Sequence, residues 1–416
     1  MIKAVTGTKD ILPAEIPKWK YLEAIVHKIF KNFNYQEIRT PIFEETILFA
    51  RGIGEETDIV GKEMYTFLDK GKTSLTLKPE MTASVVRAYI EHSMASMQLL
   101  HKLYYISPMF RQERPQAGRL RQFHQFGAEA LGSDSPLLDA EMIQMAYDIL
   151  KSLGLKDLVV KINSLGIPEV RESYKKLLRE FLADKKNLLS EDSRKRFDTN
   201  ILRIFDSKIE SDQELLKDAP KLIEHLDEKS KEEFEIVKDT LKSIEIPFEI
   251  DSKLVRGLDY YTKTTFEIIS GKVGSQSALC GGGRYDLLVE QLGGKPTPGV
   301  GFAAGIERIL LACENEKSFS LQPEKLDFYI VSLDDDLTNE IFKAAGILRR
   351  RNFSVELDYL KRSTKAQMRE ANKLNARFVI FFGGDEYKKG YLSLKNMENS
   401  EQKLLPIEDL QKIKID

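Results

Sequence analysis

The chain has 416 residues, 42% hydrophobic and 31% charged, with a formal net charge of −2. At about 150 residues per domain this length suggests two or three domains. Near-neutrality excludes a general polyanion coat, so any nucleic acid must be held by local patches.

Two cysteines, Cys280 and Cys313, are too few for a disulfide scaffold, and no Cys/His spacing offers a metal site. The N-terminal MIKAVTGTKDILP has no apolar run behind a basic start, and nowhere do about 18 apolar residues follow one another. These features predict a cytoplasmic protein with no membrane anchor and no metal held by protein motif spacing.

From Trp19, apolar residues at Leu22, Val26, Ile29, Phe30 and Phe33 recur at helical spacing, predicting an amphipathic helix that ends before Asn34. YQEIRTPIFEE (35–45) reads as extended and broken by Pro41, which cannot donate to a ladder and so favours an edge or an interface. In LTLKPEMTASVVRAY (75–89), Leu75 and Leu77 alternate as a strand. Glu80, Met81 and Thr82 then turn into a helix with Val85, Val86, Tyr89 and Ile90 on its apolar face. Glu80 is there either a carboxylate favoured by a helix N-terminus or an anion suited to an ammonium group. Ser135 and Pro136 announce a further helix through Leu138, Met142, Met145, Ile149 and Leu153.

Between Gly166 and Gly257 there is no glycine, although the chain holds 25, and Lys, Glu and Leu recur at helical spacing. This predicts an inserted helical subdomain at 167–245. Glycine returns in SGKVGSQSALCGGGRYDLL (270–288) and LGGKPTPGVGFAAGIERILL (292–311), where it permits tight turns or close backbone approach before a helix at Ile306–Ala312.

Beyond the polar connection SFSLQPEK (318–325), the strand-like LDFYIVSL, FSVELDYL, RFVIFFGG and YLSLKNM alternate with two helix-like stretches. That pattern predicts a small α/β domain at 326–416 on a largely parallel sheet. Its Lys365, Arg369 and Lys373 fall at four-residue spacing, either a basic stripe for phosphates or a solvated helix face.

The stretch FRQERPQAGRLRQFHQFGAE (110–129) concentrates charge on what reads as a β-hairpin. In a strand alternate residues share a face, so Phe123, Gln125, Gly127 and Glu129 point one way and His124, Phe126, Ala128 and Ala130 the other. The second set is a core face, on which His124 reads as a satisfied core histidine. The first set suits a polar ligand, and pairing of the arms across a loop at Pro115–Leu120 brings Arg111 and Glu113 to it. An arginine fork matches a phosphate and an aromatic ring stacks a base; cross-strand ion pairs on a solvated sheet are the alternative.

In KLVRGLDYYTKTTFEI (253–268), Arg256 sits beside Gly257, while Tyr260 and Tyr261 offer hydroxyls on opposite faces. Ordinary strand aromatics with a surface arginine would read the same way. GVGFAAGIERILL (299–311) places small residues before a helix bearing Glu307 and Arg308, without the GKS/T ending of a Walker loop or a GxGxxG pattern.

These segments, in this order, resemble the histidyl-tRNA synthetases, a family of class II aminoacyl-tRNA synthetases. The Pro41 segment, FRQERPQAGRLRQFHQFGAE and GVGFAAGIERILL are similar to the three class II motifs; LTLKPEMTA and RGLDYYTKTTFEI are similar to two histidine-specific signatures. The similarity runs from VTGTKDILP at residue 5 to the C-terminal domain.

The resemblance implies an α+β catalytic domain built on an antiparallel sheet over 1–325, containing the helical insertion, plus a C-terminal α/β anticodon-binding domain. It implies activation of L-histidine by ATP, with Mg2+ accompanying the ATP, then transfer to tRNA(His) by a homodimer. By motif, Arg111 and Arg256 would hold the α-phosphate, Glu113 would belong to the ATP site, and Phe123 and Arg308 would sandwich the adenine. Glu80, Thr82 and Gln125, with Met81 beside them, would receive the amino acid's α-groups. Glu129 and Tyr261 would bond the imidazole, supported by Tyr260, and Arg114 and Gln116 would meet the tRNA acceptor end.

Lys78 and Met81 depart from the arginine and glycine more usual there, and Gln112 stands at a variable position. A rival reading is the histidine-sensing regulatory subunit of ATP phosphoribosyltransferase. That relative typically lacks the anticodon-binding domain and loses parts of the Arg-Gly-Leu-Asp-Tyr-Tyr signature, both of which this sequence carries.

Overall fold

The helical spacing from Trp19 becomes α1 (Ile16–Asn32), with Trp19, Leu22, Val26, Ile29 and Phe30 buried along one stripe. A computed structural model describes residues 1–54, 57, 59–255, 258–271, 278–318 and 324–414, in two compact units, Met1–Ser320 and Leu321–Asp416. After α1 come β1 (Gln36–Glu37), β2 (Phe43–Glu45), α2 (Thr46–Ile53), β3 (Tyr65–Leu68), β4 (Ser74–Leu77) and α3 (Thr82–Glu91). Pro41 lies between β1 and β2, exposed and outside any ladder.

The charged hairpin is β5 (His101–Phe110) and β6 (Gln122–Leu131), antiparallel with Met109 opposite Phe123, and the pairing continues as Arg111 N donates to Arg121 O at 2.9 Å. Helix α4 (Pro136–Ser152) starts at Ser135, whose Oγ accepts from Leu137 N. Then follow β7 (Leu158–Ser164), the helices α5 (Pro168–Leu182), α6 (Glu191–Asp198), α7 (Glu210–Leu215) and α8 (Glu228–Ser243), and β8 (Phe248–Ile250). The unit closes with β9 (Thr262–Ser270), β10 (Ala278–Arg284), α9 (Leu288–Gln291), β11 (Gly299–Gly305) and α10 (Ile306–Glu316).

Among the described residues these strands form a sheet of order β1-β5-β6-β11-β10-β9-β7-β8, and only the outer pairs β1–β5 and β7–β8 are parallel. Antiparallel sheets can cover one face and leave the other for a ligand, and the period of two sorts the side chains accordingly. Phe126, Ala128, Ala130, Phe266, Val300 and Phe302 pack with α1, α4, α8 and α10. Tyr105, Met109, Tyr260, Tyr261 and Tyr285 belong to a second cluster on the opposite side. A smaller sheet, β2-β4-β3, lies beside them.

The glycine-free stretch is helical, and its parts pack differently. Phe234, Val237 and Leu241 of α8 join the main core, whereas Tyr174, Leu178 and Leu182 of α5 join the cluster on the ligand side. The link from α6 to α7 is knotted on the buried Asp212, which accepts from the hydroxyls of Ser190, Ser193 and Ser207 at 2.6, 2.6 and 2.5 Å. A carboxylate so bonded holds three turns together without a large core.

The second unit contains β12 (Phe328–Ser332), α11 (Thr338–Arg350), β13 (Val355–Leu357), α12 (Thr364–Lys373), β14 (Phe378–Phe382), α13 (Gly384–Lys388), β15 (Tyr391–Asn396) and β16 (Gln402–Pro406). Its sheet order is β13-β12-β14-β15-β16. The expected parallel character holds for β12 with β13 and β14; the β14–β15 and β15–β16 pairs are antiparallel. The connections after β14 and β15 are too short for a crossover, which needs roughly a dozen residues, so the chain turns back on itself. Most of the connection 318–325 lies outside the described residues. Among those residues no helix is long and apolar enough to cross a membrane.

Candidate active site

The ligand face of the large sheet carries a cavity of about 240 Å³. Its lining includes Glu80, Met81, Thr82, Arg111, Glu113, Phe123, Gln125, Tyr260, Tyr261 and Arg308, gathered from the start of α3, the hairpin, the turn before β9 and the start of α10. Arg114 and Gln116 do not line it; both are exposed on the hairpin loop, which is closed by a bridge between Gln116 and Arg119. Arg256 and Gly257 lie outside the described residues.

Glu129 is fully buried and does not itself line the cavity; it lies behind Thr82, Tyr105 and Tyr285, which do. Thr82 Oγ1 donates to its Oε1 at 2.8 Å, the Tyr285 hydroxyl donates to Oε2, and the Tyr105 hydroxyl approaches Oε1 at 3.5 Å. Burial pushes the Glu129 pKa up to about 8, against the pull of the three hydroxyls, and the nearby Glu80 adds to the rise. The backbone makes room for this arrangement. A Cβ on Gly301 would fall on Glu129 Oε2, and one on Gly127 would collide with the Tyr105 hydroxyl and the Phe302 carbonyl.

Tyr105 and Tyr285 were not among the residues expected from the sequence. Tyr105 is opposite Gly127 in the β5–β6 register, and a glycine inside an alternating strand is the signal that a neighbour takes its space. Tyr285 follows Arg284, a buried guanidinium bonded to Asp139 at 2.6 Å and to the carbonyls of Ser133 and Ser135. That anchor holds the end of β10 to the start of α4.

Glu80 sits at the helix N-terminus, as the first of its two readings expects. Its oxygens accept from Thr82 N at 2.7 Å and Ala83 N at 2.9 Å, capping α3, while the side chain still lines the cavity. Gln125 Oε1 is buried with no hydrogen-bond partner among the described residues, an acceptor that a ligand N–H can satisfy.

Tyr260 and Tyr261 do not point to opposite faces. Their ring centroids are 4.8 Å apart and both line the cavity. Strand β9 begins only at Thr262, and Tyr260 stands in a turn where strand alternation does not operate.

At the other end three guanidinium groups, Arg111, Arg119 and Arg308, line the cavity with three carboxylates, Glu113, Glu267 and Glu307. Arg111 Nε donates to the Pro79 carbonyl at 2.9 Å, its Nη1 is 3.7 Å from Glu113, and its Cζ lies 5.3 Å from the centroid of Phe123. Glu113 is also paired with Arg119, an arginine of the hairpin loop that lines this cavity. Arg308 donates to the carbonyls of Gly118 and Ala278, both at 3.1 Å. Burial lowers its pKa, as do the charges of Arg119 and Arg111. Like charges gathered in this way favour an anion with several oxygens.

His124 is not a fully enclosed core histidine. It is half-buried, its Nδ1 is 2.8 Å from Glu307 Oε1 and its ring meets Trp19 edge-on, so it ties β6 to α10.

One end of this cavity thus presents the residues whose hydroxyls ring a buried carboxyl group, and the other a cluster of cations with an aromatic plate. A model of the histidyl-tRNA synthetase family matches residues 7–309, and one of the anticodon binding domain matches residues 327–414. A curated relative from Desulfitobacterium hafniense, named histidine–tRNA ligase, is 46% identical over 412 residues, covering 99% of this chain and 97% of its own. Another of that name, from Alkaliphilus oremlandii, is 48% identical over 408 residues, covering 98% and 97%. The solved structure of the apo histidyl-tRNA synthetase of S. aureus matches with a TM-score of 0.84 and 40% identity over 99% of each chain. With two domains matched in order and the class II sheet in place, the chain belongs to the histidyl-tRNA synthetase family.

Proposed function

We propose that this chain activates L-histidine with ATP and passes the histidyl group to the 3′ end of tRNA(His). The observation that carries the reading is the polarity of this cavity: at one end Thr82, Tyr105 and Tyr285, whose hydroxyls meet the buried Glu129 behind them, and at the other Arg111, Arg119 and Arg308. Histidine enters with its imidazole toward Glu129 and Tyr261, its ammonium toward Gln125 Oε1 and Glu80, and its carboxylate toward the arginines. Thr82 holds Glu129 in place, Tyr260 backs the wall, and Met81 supplies an apolar side.

ATP brings its α-phosphate to Arg111 and, by resemblance, Arg256. Phe123 and Arg308 flank the adenine, and Glu113 keeps Arg111 and Arg119 aimed. A histidine carboxylate oxygen attacks the α-phosphorus and pyrophosphate leaves; a ribose hydroxyl of the terminal adenosine then attacks the carbonyl and AMP leaves. The pentavalent phosphorus is stabilised by preplaced cations, so no protein nucleophile is needed. Magnesium is bound mainly through substrate phosphates with one or two carboxylates; Glu113, Glu267 and Glu307, the last already bonded to His124, are the carboxylates lining this part of the cavity. The ion would neutralise phosphate charge as pyrophosphate departs.

Arg114 and Gln116, exposed on the hairpin loop, suit the acceptor end, and the exposed Lys365, Arg369 and Lys373 on α12 suit RNA phosphates. The assignment of residues 1–325 to catalysis, with 167–245 as insertion, and of 326–416 to the anticodon belongs to the same proposal, as does a cytoplasmic location. The regulatory-subunit reading has less support, because the curated relatives that match along nearly their whole length are named ligases. The deciding assay is pyrophosphate exchange into ATP: exchange is expected only with histidine, and exchange with no amino acid, or with a different one, overturns the proposal.

A homodimer is supported by the apolar surface of the small sheet. Phe43 is 49% exposed, Phe67 43% and Leu68 67%, with the two phenylalanine rings 6.4 Å apart. Contiguous exposed apolar surface of this kind marks an interaction site. Phe67→Glu is expected to shift the sedimentation coefficient from that of a dimer to that of a monomer; a wild-type protein that sediments as a monomer at micromolar concentration would refute the dimer.

A further inference from the structure

The helical run between Gly166 and β8 reaches the turn that carries the site tyrosines at three alternate residues. Arg171 of α5 donates from Nη1 to the Tyr261 carbonyl. Asn200, at the start of the 3-10 turn Ile201–Asp206, donates from Nδ2 to Asp259 Oδ1 at 3.1 Å. Glu233 of α8 pairs with Lys263 Nζ at 2.9 Å. From the other side, Asp259 N donates to the Ile53 carbonyl at 3.2 Å, and a Cβ on Gly54 would lie 2.7 Å from Asp259 Oδ2. Positions 259, 261 and 263 are thus gripped from outside, while the rings of Tyr260 and Tyr261 face the cavity.

Neither Arg171 nor Asn200 lines the cavity. Burying a guanidinium against a carbonyl is an expensive way to add stability. It does fix a backbone atom, because the planar fork has one direction in which it bonds well. The surrounding contacts make the same turn rigid, which is what a wall that must meet one ring at hydrogen-bond distance requires.

We infer that Arg171 and Asn200 are positioning residues for the amino-acid pocket, through which α5 and the 3-10 turn set the placement of Tyr260 and Tyr261. The helical run therefore controls histidine affinity from outside the cavity. A sub-ångström shift of the turn is felt first at the amino acid, because three of the four arginines proposed for ATP, Arg111, Arg119 and Arg308, are carried by the hairpin and α10 and only Arg256 is near the turn in the chain.

The inference rests on the assignment of Tyr261 to the histidine pocket, so Tyr261→Phe is assayed beside the test variants by histidine-dependent pyrophosphate exchange. In Arg171→Met the KM for histidine is expected to rise about ten-fold while that for ATP stays within about two-fold. Arg171→Lys should recover part of the loss. Asn200→Asp, which sets a carboxylate against Asp259, should raise the histidine KM about five-fold with an unchanged melting temperature. Unchanged histidine KM in both variants, or histidine and ATP KM rising together, overturns the inference. If Arg171→Met does not fold, Asn200→Asp decides alone. A histidine KM untouched by Tyr261→Phe overturns the pocket assignment instead; one raised by Tyr261→Phe but not by the outer variants overturns only the positioning role.

Discussion

Gly301→Ala is expected to lower kcat/KM for histidine about a thousand-fold in pyrophosphate exchange while leaving ATP binding within a few-fold of wild type. The added methyl would fall on Glu129 Oε2 and within 2.6 Å of the Ala128 carbonyl. The second of these neighbours is backbone of the adjacent strand, so rotation of the Glu129 side chain cannot relieve both contacts. Gly301 pairs with Glu129 in the β6–β11 ladder. Moving the strands apart would disturb the Thr82 and Tyr285 bonds that hold the carboxylate, and overpacking of this kind costs about 1–3 kcal/mol in stability. Histidine loses its acceptor, whereas the arginines at the far end keep their carbonyl partners. Steady-state exchange at varied histidine, with ATP binding measured by equilibrium dialysis, checks this. An alanine variant within ten-fold of wild type would remove Glu129 from the site.

Glu129→Gln separates stability from function. The folded carboxyl titrates near pH 8 because burial outweighs the hydroxyl donors, against an ordinary value of 4.5. The folded state therefore binds the proton more tightly than the unfolded state between these values. Its stability falls as pH rises from about 4.5 to about 8, by on the order of a few kcal/mol. Glutamine has no charge to desolvate. The variant should melt above wild type at pH 9, and the difference should vanish by pH 5. Activity should move the other way. Above pH 8, where the carboxyl is ionised, a hydrogen bond to it contributes about 1.5–3 kcal/mol, so the histidine KM at pH 9 should rise about ten- to a hundred-fold. Scanning calorimetry across pH and exchange kinetics at fixed pH give the two readings. A wild type more stable than the variant at pH 9 would contradict the burial cost, and an unchanged KM would contradict the role. Functional sites commonly carry strain of this sort.

Much of the site could be read from the strand period alone. Alternation along β6 separated Phe123, Gln125 and Glu129 from Phe126, Ala128 and Ala130, and the two sets do lie on opposite sides of the sheet, Phe123 and Gln125 lining the cavity and Glu129 bonded to Tyr105 and Tyr285 behind its wall. The same rule misplaced Tyr260, because a residue in a turn has no fixed alternation. It also treated His124 as part of the core, although a half-buried ring bonded to Glu307 of α10 lies at the edge of that layer.

Tyr105 and Tyr285 carry no such signal, for a different reason. Each acquires its place through a partner far along the chain or across a strand pair, and neither composition nor spacing encodes that pairing.

The sequence by itself determined the two-part organisation, the helices announced by apolar spacing and caps, the ligand-facing strand of the hairpin, and the resemblance carried by local signatures. These are local properties, set by side-chain period and by backbone preference within a few residues. Only the tertiary structure decided that Glu129 would be a buried carboxyl ringed by hydroxyls, with its space left by Gly301, and that the α/β sheet would end in antiparallel strands. It alone brought Arg171 and Asn200 to the tyrosine turn from outside the cavity. Burial, cross-strand clearance and desolvation depend on which distant segments meet, and so they come into being only when the chain is folded.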